Sequence, residues 1–428
     1  MSKRITSLAL ILMWIAMSPS QAITLEECQS LAQDNYPLLK QYDVLDKVTE
    51  YTVDNIAKGW FPQISASAQA TLQNRVAALP EQLTTILTEM GGNLKGLSKA
   101  QYRIGLDVNQ TVWEGGAIKN AQNVARLQNE VQRAQTDVDM YGIRERVNEV
   151  YFGMLLIEER INLNKTLIST LSANKEKLER MQKGGTASGA DVASVEAEVL
   201  KAEQQNTQLQ TMRSGYTKVL SLLIGKDEKD IGKLEKPAEL MVSHEVNRPE
   251  LSLLDKRLQL TSAQEKSLKS GLMPRISLFA QGYYGYTGYD MFHDMYHRSP
   301  TLNGLIGARI TWNISNLYTN KNDRAKLALE RKSIENQREV FLFNNNLKTR
   351  QEDEAIAGQR KLLADDDRII SLRETVRKAA ESKLQHGIID TSNLIREINN
   401  ENEARISKST HEIELLKQIY TLKHTLNQ

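Results

Sequence analysis

Apolar and polar residues alternate one by one in four separate stretches of this chain. From Pro62, the side chains of Ile64, Ala66, Ala68, Ala70 and Leu72 share one parity, and those of Gln63, Ser65, Ser67, Gln69, Thr71 and Gln73 share the other. Ile104, Leu106, Val108 and Val112 oppose Arg103, Asp107, Asn109 and Thr111 in the same way. A third stretch sets Ile276, Leu278, Ala280, Tyr284 and Tyr286 against Arg275, Ser277, Gln281 and Thr287, and a fourth sets Ile306, Ala308, Ile310 and Trp312 against Arg309, Thr311 and Asn313. Successive strand side chains point to opposite faces, so each stretch has one apolar and one polar face. The pattern predicts strands over about 62–74, 103–113, 274–287 and 303–313. Each is close to the roughly 9–11 residues that a tilted strand needs to cross a bilayer. The polar faces carry Arg, Asp, Asn and Gln, as a wet interior requires, and Tyr and Trp gather toward strand ends. Trp113 has the parity of the polar face, which calls for a bulge or a position beyond the membrane. An ordinary half-buried soluble sheet is the plainer alternative.

Between and after the strand pairs the rhythm changes. Ala117, Val124, Val131 and Val138 form one row at sevens, with Leu127, Ala134 and Tyr141 beside it. The phase then shifts to Ile143, Val147, Val150, Met154, Ile157 and Ile161, a coiled-coil-like seam with a stutter. No proline falls between Pro80 and Pro237. Helices are predicted over about 116–183, 189–224, 317–386 and 391–427, with shorter ones over about 25–58 and 249–271. At 1.5 Å per residue the longest spans roughly 100 Å, far beyond the dozen or so residues of an ordinary helix.

The order of elements occurs twice. Asn35-Tyr36-Pro37 returns as Asn247-Arg248-Pro249, Pro62 as Pro274, Ile64-Ser65 as Ile276-Ser277 and Ala68-Gln69 as Ala280-Gln281; later Trp113 pairs with Trp312 and Gly184 with Gly387. Self-similarity of this kind is the mark of an internal duplication. It divides the chain into a leader at 1–22, a first repeat at 23–225, a charged linker or small equatorial excursion at 226–246 and a second repeat at 247–428.

Composition narrows the class. Lys3 and Arg4 precede an apolar run from Leu8 to Met17 and then Ser20-Gln21-Ala22, which reads as a cleaved signal peptide. Its removal takes two of the 55 basic side chains and no acid, leaving them balanced against 53 acids and excluding a global basic field for nucleic acid. The mean hydropathy of −0.46 is that of a water-soluble chain, and the longest mature apolar run, Val150 to Ile157, is interrupted by Gly153. A β-barrel remains a route into a membrane, because its strands need only alternate. Cys28 is the single cysteine, so no intrachain disulfide forms. No phosphate loop, GxSxG, HExxH or CxxC occurs, so neither an enzyme nor a cofactor is expected. His293, Asp294 and His297 have the residue types of a metal cluster, but they read as part of a solvated aromatic loop and no metal is assigned.

Several segments, in this order, resemble the TolC-like outer-membrane efflux protein family: "ITLEECQSLAQDNYPLL", the strand starts "WFPQIS" and "LMPRIS", the strand exit "QTVWEGGAIKNA", and the helix-hairpin tips "MQKGGTASGADV" and "LQHGIIDTSNL". The resemblance covers essentially the whole mature chain. It implies a mainly α fold with β: long helical hairpins building a periplasmic α-barrel, and four strands per chain contributing to a homotrimeric, 12-stranded transmembrane β-barrel. It implies an outer-membrane exit duct of a Gram-negative cell, serving tripartite efflux or type I secretion. Its partners would be outer-membrane lipid, a periplasmic adaptor protein and an inner-membrane pump of RND, ABC or MFS type. Gly184, Gly185, Gly387 and Asp390 would then lie at the adaptor-contacting tips. Trp113, Gly115, Gly116 and Trp312 would mark strand–helix joints, which should bend differently because Ile314-Ser315 replace the two glycines in the second. At the channel entrance, Asn393 and Arg396 stand where well-known members have two aspartates, with Leu384 and Ile389 at the positions of a latching Tyr and Arg; Asp191 occupies the matching region of the first hairpin. An entrance without strong cation selectivity would follow, the plainer alternative being that Arg396 pairs with Glu397 or another helix and sees no lumen. A periplasmic coiled-coil scaffold or adaptor without a channel is the competing class, separated from a duct by whether the strands meet lipid.

Overall fold

The structure, a computed structural model, describes residues 22–92 and 96–428. The expected signal peptide lies, but for Ala22, outside the described residues. Thirteen elements of helix and strand follow in chain order. α1 (Leu25–Asn35), α2 (Lys40–Ala57), β1 (Gln63–Leu72), α3 (Glu81–Glu89), β2 (Ala100–Trp113), α4 (Ala117–Lys183) and α5 (Gly189–Ile224) come first. α6 (Pro249–Ser270), β3 (Arg275–Tyr286), α7 (Met291–His297), β4 (Thr301–Thr311), α8 (Asn316–Gln385) and α9 (Thr391–Leu426) complete the chain. The expected helix over 25–58 is broken at Tyr36, which is extended at φ −71° and ψ 128°. The cause is Pro37, whose ring excludes the residue before it from helical backbone. No described helix is long and apolar enough to cross a membrane.

The chain forms two compact units, each drawing on both halves of the sequence. One comprises the segments up to Tyr42, Ala134–Leu253 and Gln337–Gln428. Its core is a helix-packed cluster. Val147, Tyr151, Phe152 and Met154 of α4 meet Cys28 of α1, Leu220 and Ile224 of α5, and Ile413, Leu416 and Ile419 of α9. Val147 and Met154 belong to the apolar row read from the sequence, and Tyr151 and Phe152 beside it widen the buried face. Segment 226–246 packs on this cluster rather than hanging free. Ile231 and Leu234 are buried, Leu234 pairs with Ile23 in a parallel bridge, and the Tyr151 hydroxyl donates toward the carbonyls of both Ile23 (2.8 Å) and Glu235 (2.7 Å). Burial pushes the Cys28 thiol up to about 12, so it is an inert apolar filler.

Farther along the same unit the two helical hairpins share an apolar cluster. Leu171 and Leu178 of α4, Val195 and Ala202 of α5, Ala380 of α8, and Leu394 and Ile398 of α9 pack together. The α8–α9 hairpin adds ion pairs. Arg377 and Arg405 both bind Glu401 (2.5 and 2.7 Å), Lys408 binds Asp367 (2.6 Å), and His411 lies 2.8 Å from Asp366.

The C-terminus is tied back by a buried histidine. His424 stacks on Tyr141 with ring centroids 4.4 Å apart, and the Tyr141 hydroxyl donates to the His424 carbonyl (2.6 Å). Arg248 lies over the same tyrosine ring, 4.8 Å from its centroid. Burial first, and the Arg248 charge second, lower the His424 pKa from 6.5 to about 4; Glu145, 3.9 Å away, opposes this only weakly. The folded protein therefore binds this proton less readily than the unfolded chain. Stability contributed by neutral His424 is complete above about pH 6.5, declines as pH falls through the interval, and is gone below about pH 4. Between those limits the wild type should lose on the order of 2 kcal/mol more than His424→Phe, which keeps the stack but cannot titrate. Thermal midpoints of the purified proteins across that range test this; a wild-type-to-variant difference independent of pH would rule it out.

The second unit comprises Asp43–Arg133 and Leu254–Asn336. It holds one antiparallel sheet in the order β1-β2-β3-β4, and its helices are joined by ion pairs such as Arg133 to Asp46 (2.5 Å) and Lys256 to Glu130 (2.7 Å).

Candidate channel wall and hairpin tips

Strand register turns the four alternating stretches into one two-faced wall. Ile64 pairs with Val108, Ala66 with Leu106 and Ala68 with Ile104; Ile104 also pairs with Tyr284 and Val108 with Ala280; Ala280 pairs with Ile306 and Ile276 with Ile310. Directly opposed residues of antiparallel strands share a face, so the apolar sets add up across all four strands. Ile64 (68%), Ile104 (63%), Ile306 (83%) and Ile310 (72%) stand exposed on it. Aromatic residues bound this face at both ends, Tyr102 and Tyr284 at one and Trp113 and Trp312 at the other. Tyr102 and Trp113 are about 37 Å apart along a strand at 3.4 Å per residue, or roughly 28 Å when tilted near 40°. That matches the apolar band, about 25 Å tall, of a transmembrane barrel.

Trp113 joins this face by a bulge. The register shifts between Thr111 and Trp113, so Thr111 pairs with Ser277 and Trp113 with the very next β3 residue, Ile276. The extra residue re-aims the indole from the polar parity to the apolar side.

The other face is polar. Arg103 donates to Gln69 (3.0 Å) and Gln281 to Asp107 (2.5 Å). Two cross-strand arrangements there escaped sequence reasoning. A Cβ on Gly105 would lie 2.6 Å from the Cβ of Tyr283, its partner in the register, and the Arg103 guanidinium lies 5.7 Å from the Tyr283 ring centroid. A Cβ on Gly307 would lie 2.8 Å from the Phe279 ring, and the Arg309 guanidinium lies 4.6 Å from that ring's centroid. In both, a glycine clears space for an aromatic side chain, and an arginine two residues away covers the ring. The only sequence trace is a glycine two residues from an arginine, at 103–105 and 307–309; the aromatic partner belongs to another strand.

Both strand-to-helix joints rest on one turn, 271–273. At the first, Gly115 and Gly116 have φ of +67° and +85°, and a Cβ on Gly115 would lie 2.3 Å from the Met273 Cβ. At the second, the Trp312 indole donates to the Leu272 carbonyl (3.0 Å) and the Asn316 amide to the Gly271 carbonyl (2.9 Å). Ile314 and Ser315 take no left-handed backbone conformation, so the joints do turn differently.

The hairpin tips are built alike. In the first, Thr186 N–H bonds the Met181 carbonyl (2.9 Å) and Gly185 takes φ +77°; in the second, Ile388 N–H bonds the Lys383 carbonyl (2.9 Å) and Gly387 takes φ +70°. This is the Schellman ending, which needs a left-handed residue just past the helix. Gly185 and Gly387 thus take the same left-handed place just past their helices. After the turn, Ser188 caps α5 in a capping box with Asp191, and Asp390 caps α9 by accepting from Asn393 N–H (2.8 Å). The hydrogen bond from Ser188 is the main reason the Asp191 carboxyl titrates below its ordinary range. Arg396 donates to Asn393, sits 3.8 Å from Glu397 and is 66% exposed. Asp390, Asn393 and Arg396 therefore form one hydrogen-bonded row along the start of α9.

The loop trio is spent on structure. Asp294 is 1% exposed and accepts from Gly288 N–H (2.5 Å). The Tyr286 hydroxyl bonds the Asp294 carbonyl (3.2 Å) and accepts from Ser98 N–H (2.8 Å). His293 and His297 stack on each other on α7, 4.4 Å apart. Among the described residues no group of three or more His, Cys, Asp or Glu is placed to hold a metal.

The fold is that of solved outer-membrane channels. The outer-membrane channel OprN matches with a TM-score of 0.66 at 14% identity, over 94% of this chain and 89% of that one. VceC, an outer membrane protein of Vibrio cholerae, matches at 0.63 and 14% identity, over 94% and 95%. The CmeC outer membrane channel of Campylobacter jejuni matches at 0.62 and 14% identity, over 94% and 85%. No protein-family model and no curated protein matches the sequence.

Proposed function

We propose that this chain is an outer-membrane exit duct of the TolC-like family, a passive channel rather than an enzyme. The observation that carries the reading is the sheet. One exposed apolar face of membrane height is bounded by aromatic residues at both ends, the opposite face is polar, and β1 and β4 each have a partner on one side only. Open edges are not tolerated in hydrocarbon. Three copies side by side would close a 12-stranded barrel and satisfy both edges. The likeness to solved outer-membrane channels supports this assembly. In it the chain is an internal duplication, 23–225 and 247–428, joined through 226–246, and exported by a leader ending at Ala22. The matching Schellman tips, with Gly185 and Gly387 in register, support the duplication.

The helical hairpins would extend into the periplasm. Gly184, Gly185, Gly387 and Asp390 would meet a periplasmic adaptor there, coupled to an inner-membrane pump of RND, ABC or MFS type. Cargo would be small molecules or a polypeptide. Asp191, Asn393 and Arg396 would lie near the entrance. Arg396→Asp is expected to move ion selectivity toward cations in bilayer recordings; unchanged selectivity would mean that the side chain serves only Asn393 and Glu397. The assembly itself is tested by expressing the mature chain in a Gram-negative cell. Detergent-dependent extraction from outer membrane, at the mass of about three chains, is expected; release as a soluble monomer or dimer would favour the scaffold reading.

A further inference from the structure

We infer that the barrel interior selects for anions; the inference rests on the duct reading above. The four strands contain four charged residues, Arg103, Asp107, Arg275 and Arg309. All four lie on the polar face, opposite Gln69, Gln281, Thr311 and Ser277 respectively. A barrel places that face toward water and the apolar face toward lipid. The interior charge is therefore three arginines against one aspartate in every chain, and threefold repetition multiplies the excess.

Arg103 and Arg309 are not neutralised in place. Arg103 gives its hydrogen bond to an uncharged amide, Gln69, and Arg309 lies over the Phe279 ring. Asp107 is occupied by the amide of Gln281. The two arginine–aromatic platforms also fix where the charge points. An aromatic face holds a guanidinium without consuming its N–H groups. Gly105 and Gly307 let Tyr283 and Phe279 lie across the sheet to supply that face. Each platform thus leaves a guanidinium edge free toward the lumen, with donors spaced for carboxylate, sulfonate or phosphate oxygens. Rings of arginine favour anion passage.

Purified protein in planar bilayers under a KCl gradient tests this directly. At low salt, where the Debye length exceeds about 10 Å, the reversal potential should show chloride preferred over potassium by roughly threefold. The double variant Arg103→Gln/Arg309→Gln should lose most of that preference. Arg103→Lys/Arg309→Lys should keep it, and Asp107→Asn should increase it. The opposite signs exclude a merely structural effect of altering the wall. A conducting wild type without anion preference, or a preference that the glutamine variants leave intact, overturns the inference while the duct stands. A protein that forms no channel overturns both.

Discussion

Ile306→Arg is expected to abolish recovery of the native oligomer from the outer membrane, whereas Leu305→Arg, one residue earlier, is expected to be tolerated. Ile306 lies at the middle of β4, opposite Ala280 on the apolar face, and is 83% exposed in the single chain. Leu305 pairs with Gln281 on the polar face. A lipid-facing Arg near the bilayer midplane costs about 2–4 kcal/mol, and each copy in the assembly bears that cost, while lumen substitutions are borne by water. The measurement is the yield of oligomer resisting dissociation in cold detergent gels, with the outer-membrane fraction assayed in parallel. A soluble sheet would feel the two substitutions alike, since both side chains are solvent-exposed on an isolated chain. Equal losses, or no loss from either, would refute the assignment of faces on which the duct reading rests.

How far the fold was legible depended on whether each feature was local. The strands and long helices announced themselves through period and length, because one face of each must be buried or meet lipid. The break at Tyr36 was legible in principle from Pro37 alone. The bulge at Trp113 was visible only as a parity conflict; its resolution lies in pairing with Ile276 on another strand. The charged composition of segment 226–246 left its packing open, and Ile231 and Leu234 anchor it against the helix core. The hairpin tips were found through their glycines, but two adjacent glycines left the register ambiguous until backbone conformation distinguished Gly185 from Gly184. At the start of α9, the residue types at 393 and 396 were plain, while their hydrogen-bonded row depended on where the cap fell. The arginine–aromatic platforms were illegible for the deepest reason. Arg309 and Phe279 are 30 residues apart in sequence and meet only through strand register.

At the first strand-to-helix joint, Gly115→Ala should destabilise the protein far more than Gly116→Ala, though both residues have positive φ. Left-handed backbone costs an alanine roughly 1–2 kcal/mol at either position. At Gly116 little else is added, since the nearest atom to a new Cβ is the Asn120 amide nitrogen at 3.9 Å. At Gly115 the new Cβ would lie 2.3 Å from the Met273 Cβ and 2.8 Å from its Cγ. The obstruction begins at the Met273 Cβ, so a change of rotamer cannot relieve it and the 271–273 turn must shift. That turn also receives the Trp312 and Asn316 hydrogen bonds, so its displacement disturbs the second joint as well. Overpacking of this kind costs a further 1–3 kcal/mol or so, giving about 3 kcal/mol in all at Gly115. Thermal midpoints of detergent-solubilised protein, with oligomer yield, provide the comparison. Truncating the obstacle distinguishes the two causes. Met273→Ala should rescue Gly115→Ala only weakly because the Cβ remains, whereas Met273→Gly should recover a substantial share of the loss through coupling between neighbours. Equal losses at the two glycines would mean that backbone conformation alone, and not the close approach to Met273, requires Gly115.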